Sequence, residues 1–165
     1  MKQPWFFVTL ALLSGLMTGC GDNKPATQVP AVAHKHEHKP PHGGTPVELG
    51  QEEYHVELVL DPASSKLQAY VMDGELENFV RVGAPALEIE ARLPDRSEAL
   101  VLKAVPNTAT GETVGDTSLF ETQAEWLKKV ATFDAVLKEL TVKGKSYQNV
   151  TFNFPKGNDK DEKAN

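Results

Sequence analysis

The chain has 165 residues, 40% of them apolar and 24% charged, with a formal net charge of −6, which allows for one core of ordinary size. That acidic balance excludes a general electrostatic grip on nucleic acid. A single cysteine excludes a disulfide within the chain.

MKQPWFFVTLALLSGLMTGC begins with one basic residue, Lys2, continues through an apolar run from Trp5 to Leu13, and closes with small residues leading to Cys20. This is the layout of an export signal and is too short for a spanning helix. Met17, Thr18, Gly19 and Cys20 resemble the bacterial lipoprotein signal, with Met17 standing where leucine is usual. The resemblance implies a signal peptide over residues 1–19 and lipidation of Cys20, palmitate included, as the first mature residue. The mature chain would then lack a free thiol, which removes thiol catalysis, thiolate metal sites and blue-copper chemistry. Loss of Lys2 makes the mature charge one unit more negative. Gly21 and Asp22 after the cysteine point to sorting to the outer membrane, with the domain facing the periplasm.

Residues 20–44 read as a tether. GDNKPATQVPAVAHKHEHKPPHGGTP contains five prolines and three glycines and no run of large apolar side chains, so it cannot bury enough surface to offset the entropy of ordering it. Four of the five histidines, His34, His36, His38 and His42, fall within nine positions of it. Imidazole is largely neutral near pH 7 and is the commonest protein ligand for zinc, copper and nickel. Alternating His34, His36 and His38 project to one side of an extended chain at roughly 6.5 to 7 Å intervals, and a flexible backbone can fold them around one ion. Glu37 can add an oxygen, Lys35 and Lys39 oppose a cation, and Gly43-Gly44 allows a sharp bend after His42.

From residue 45 to 155 the expected fold is mainly β, an antiparallel β-sandwich, immunoglobulin-like or similar, with one short helix. In YHVELVL, Tyr54, Val56, Leu58 and Leu60 share one face while His55 and Glu57 share the other, the alternation of a half-buried strand. DPASSK supplies a turn and LQAYVMD a second strand. ALEIEARL and ALVLKAV flank PDRSE in the same way, and AVLKELTV and SYQNVTFNF flank KGK. Three hairpins favour an antiparallel sheet over a parallel one. PNTATGETVGDTS reads as a long surface loop. SLFETQAEWLKKVA reads as the helix, because Ser118 with Glu121 and Thr122 with Glu125 fit capping boxes and Phe120, Ala124, Leu127 and Ala131 share a helical face. Residues 156–165 are expected to be a disordered tail.

Enzymatic motifs are lacking. GETVGDTS has no phosphate-loop lysine, no HExxH occurs, and no serine sits in a nucleophile elbow, so the expectation is a protein that is not an enzyme. Asp73, Glu75 and Glu77 form an acidic turn that reads as a solvated hairpin tip. His55 on the polar face of its strand is a further ligand candidate, reached if the Gly43-Gly44 bend returns His42 to that strand.

Residues 41–74, PHGGTPVELGQEEYHVELVLDPASSKLQAYVMDG, resemble a His-Gly-Gly segment of periplasmic β domains found in N-terminal segments of heavy-metal efflux adaptors and related bacterial lipoproteins. The resemblance implies a β domain linked to metal handling and carries over His42, Gly43, Gly44, Tyr54 and His55. An adaptor's long coiled-coil hairpin and lipoyl-like halves are missing, so a stand-alone lipoprotein is the form expected. The combined expectation is a lipid-anchored envelope protein that binds zinc or copper through its His-rich tether. Its partners would be the membrane and a metal-efflux or other envelope protein, with no role for nucleic acid; the competing expectation is an envelope interaction module with incidental histidines.

Overall fold

A computed structural model describes residues 39–158. The expected signal peptide, Cys20, His34, His36, Glu37, His38 and residues 159–165 lie outside the described residues.

Apolar alternation drives the chain into eight strands: β1 (Thr45–Leu49), β2 (Tyr54–Asp61), β3 (Lys66–Asp73), β4 (Ala86–Arg92), β5 (Ser97–Ala104), β6 (Leu119–Gln123), β7 (Phe133–Val142) and β8 (Lys145–Phe154). They form one antiparallel sheet in the order β1-β2-β3-β6-β5-β4-β7-β8. The mainly β, sandwich-like expectation holds, and its finer form is a single sheet curled until it is nearly a closed barrel. Val47, Val56, Leu58, Leu67, Ala69, Leu87, Ile89, Leu102, Leu137, Phe152 and Phe154 turn inward and make one core. Each fully buried Val, Leu or Phe contributes about 1.5 to 3 kcal/mol relative to exposure, which is what selects this face over its alternative. Leu60, expected on the inward face with Val56 and Leu58, is only partly buried against that core, as is Val150.

The seam between the two end strands is closed by the segment after β8. Thr45 Oγ1 donates to the Pro155 carbonyl, and the Asn158 side chain both accepts from Glu48 N–H at 2.7 Å and donates to Glu48 O at 3.1 Å. Asn158 thus occupies the edge of β1 as a short strand would. Gly157 sits so close to Pro46 O that an added Cβ would lie 2.2 Å from it. These contacts tie residues 155–158 to β1.

The helix expected across 118–131 is replaced by a strand and one 3-10 turn, Glu125–Lys128. Sheet continuity overrode local helix signals: β6 fills the place between β3 and β5, and Phe120, fully buried, lies opposite Ala69 on one side and Ala104 on the other. Two small partners leave room for one large ring. Ser118, expected as a helix cap, donates its N–H and hydroxyl to Glu112 instead. Ala124 is extended at φ −145° and starts the 3-10 turn, whose Leu127 joins the core.

Candidate functional site

The outer face of β2 and β3 is polar in sequence yet covered in the fold. His55 and Glu57 point outward from β2, with Met72 and Tyr70 as their cross-strand partners on β3. His55 is only 5% exposed and Glu57 is fully buried. A buried carboxylate is costly unless it is well supplied with donors. Glu57 receives three, all from the residues just ahead of β1. Its Oε1 accepts from the backbone N–H of His42 and of Gly44, both at 2.9 Å, and its Oε2 is 2.7 Å from Nδ1 of the His42 ring.

The sequence His42-Gly43-Gly44 is what makes this possible. Gly43 takes φ +68°, a left-handed conformation that glycine adopts without strain, and its N–H closes a turn onto Pro40 O at 3.1 Å. Gly44 needs its missing side chain for a different reason: a Cβ there would sit 2.6 Å from Leu58 O and 2.8 Å from Val59 Cγ2. The arm can lie flat on β2 only with glycine at that position.

The imidazole is fixed on its faces as well as at Nδ1. It stacks on Tyr70 with ring centroids 4.0 Å apart and an interplanar angle of 12°, and Phe79 stands 5.8 Å away, itself 54% exposed. Burial, then the negative charges of Glu57 and Glu121, push the Tyr70 hydroxyl above its ordinary range, so at neutral pH Tyr70 serves as a neutral wall and not as a phenolate ligand. An ionised carboxylate can only accept, so opposite one a neutral imidazole places its hydrogen on Nδ1 and its lone pair at Nε2. The side chain of His42 is one-third exposed.

The Gly43-Gly44 bend thus returns His42 to β2, as the sequence allowed, but seats it on Glu57, two positions along from His55. The His55 ring has Nδ1 3.4 Å from the Asp73 carbonyl and lies opposite Glu48 and Met72. Among the described residues no group of three or more His, Cys, Asp or Glu side chains is arranged to hold a metal ion. Tyr54, carried by the same resemblance, packs edge-on against Tyr147 at 6.2 Å and belongs to the margin of the core.

Other polar clusters serve the fold. Burial raises Asp73, but hydrogen bonds from the Asn78 side chain and from the N–H groups of Asn78 and Glu77 outweigh it and hold the carboxyl below its usual range; the acidic turn is organised around that residue. A groove of about 540 Å³, where β4 and β7 part, is lined by Gly83, Ala86, Glu88, Lys138 and Thr141 among others. No histidine lines it. Among the described residues no helix is long and apolar enough to cross a membrane.

Glu57, Tyr70 and Phe79 were missed as site residues in the sequence. The available signal was a carboxylate on the polar face of a strand shortly after a His-Gly-Gly turn. No protein-family model, curated protein or solved structure matches the chain.

Proposed function

We propose that this is a lipid-anchored bacterial envelope protein that binds a transition-metal ion, zinc or copper, through the His-rich segment His34, His36, His38 and His42. It buffers the ion or passes it to a metal-efflux or other envelope partner. Cys20 provides the anchor and holds the domain on the periplasmic side of the outer membrane. The observation that supports the reading best is the His42 ring, fastened by a buried carboxylate through Nδ1, with no hydrogen bond at its second nitrogen among the described residues. Metal-ligating histidines usually donate their other N–H to a carboxylate or carbonyl in this manner. His38 and His36 lie four and six positions upstream in sequence, near enough along the chain to complete a coordination sphere with His42. His55 is left out of the ligand set because its burial shuts it off from an entering ion.

Zinc titration of the full chain by calorimetry tests the reading. Replacing His34, His36 and His38 together by Ala should abolish most of the binding. Undiminished affinity in the triple variant would leave the domain as an interaction module with incidental histidines. Cys20→Ser should release the protein from the membrane fraction, and a variant that stays wholly membrane-bound would remove the anchor from the account.

A further inference from the structure

We infer that Glu57 is a positioning residue that sets the tautomer of His42 and so makes Nε2 a ligand nitrogen held in place before a divalent borderline metal ion arrives. The inference rests on the metal-binding function proposed above and adds to it a preformed ligand held against a rigid strand. Ligands carried only on a tether pay ordering entropy for every ring they contribute. A ring already locked between Tyr70 and Glu57 does not.

Three observations carry it. Glu57 is fully buried and among the described residues takes hydrogen bonds from the arm alone, so its geometry is dictated by His42 and Gly44. Both oxygens are engaged from one side, Oε1 by two backbone N–H groups and Oε2 by the ring. The stacked Tyr70 ring prevents the imidazole from rotating to offer Nδ1 instead. Neutral histidine carries one ring hydrogen, and a carboxylate at Nδ1 forces it there. The same contact leaves the lone pair at Nε2, on the side away from the carboxylate.

Glu57→Gln is the decisive variant because it keeps the shape and reverses the hydrogen-bond sense. Its amide oxygen can still accept from the N–H groups of His42 and Gly44, while its amide nitrogen takes the place of Oε2 and donates to Nδ1. The ring hydrogen then moves to Nε2, and the nitrogen that would meet the metal has no lone pair to give. The experiment is nitrogen NMR of the full chain labelled with nitrogen-15 at histidine, with His42→Gln used to identify the resonances, followed by titration with zinc ions. The wild type should show a hydrogen on Nδ1 and a bare Nε2 that shifts on zinc addition. Glu57→Gln should show the opposite tautomer, bind zinc roughly 10- to 100-fold more weakly, and melt as a folded barrel. A wild-type ring with its hydrogen on Nε2, or zinc uptake that ignores Glu57→Gln, overturns the inference while leaving the tract as a binder. A wild-type chain that takes up no zinc at all overturns both.

Discussion

Glu57 and Glu112 are two buried carboxylates that each fasten a loop to the same barrel. Glu112, 9% exposed, accepts from Ser118 N–H at 2.9 Å, from the Ser118 hydroxyl at 2.7 Å and from the Thr110 hydroxyl at 2.5 Å, with Arg81 Nε 4.0 Å away. Burial raises its carboxyl, but the Thr110 and Ser118 hydrogen bonds and the Arg81 charge outweigh that and keep it below the ordinary 4.5. The donors that reach this carboxylate are two hydroxyls and one backbone N–H, none with a second nitrogen to offer, and Arg81 turns its other donors to Asp116 and to Thr110 O. At Glu57 one of the three donors is an imidazole, which has a second nitrogen. The two loops are held by the same physics, and the identity of one donor is what sets them apart.

The comparison assumes a common scaffold, and the largest expected effect tests that assumption. Phe120→Ala, in the strand between β3 and β5, should destabilise the barrel by about 3 to 5 kcal/mol. Tyrosine and tryptophan signals from both sides should melt together; separate transitions would mean that the loops rest on independent units. Next in size is Glu112→Ala, which leaves the buried Ser118 N–H without its acceptor and should cost about 1 to 3 kcal/mol with zinc affinity unchanged. A loss of zinc binding there would blur the distinction between the two loops.

The pH response sharpens it further. Because the folded-state value of Glu112 is depressed, its contribution is complete at neutral pH, shrinks as pH falls through the unfolded value near 4.5, and is gone below the folded value. Chemical denaturation of Glu112→Gln should therefore show lower stability than wild type at pH 7 and a smaller further loss on acidification. Parallel pH curves for the two proteins would contradict the assigned role. The smallest effect is expected from Gly44→Ala, about 1 kcal/mol, because the arm lifts and the freed carboxylate meets water. The His42 ring signals should then resemble those of a solvated histidine, and an unchanged His42 environment would show that the arm tolerates a Cβ.

Six of the eight strands were legible because their alternation is clean, as in Val56-Glu57-Leu58 or Val150-Thr151-Phe152. β6 was hidden by helix-compatible spacing: Phe120, Ala124 and Leu127 suit either element, and only the gap between β3 and β5 decides for a strand. β1 is brief, and its stabilising partner, Asn158, is far away in sequence. The histidines of the tract announced themselves by type and spacing, and Gly43-Gly44 announced the bend. The partner of His42 did not, since Glu57 and His55 occupy equivalent outward positions on β2. Which of them meets the arm depends on the length of the turn between β1 and β2 and on the register Pro46 to Glu57, and register is a property of the paired strands.

A double-mutant cycle on zinc affinity tests the central claim most directly, using wild type, His42→Ala, Glu57→Gln and the two combined. If Glu57 acts through the His42 ring, Glu57→Gln weakens zinc binding in the wild-type background and adds nothing once His42 is gone. Equal weakening by Glu57→Gln in both backgrounds would contradict the account.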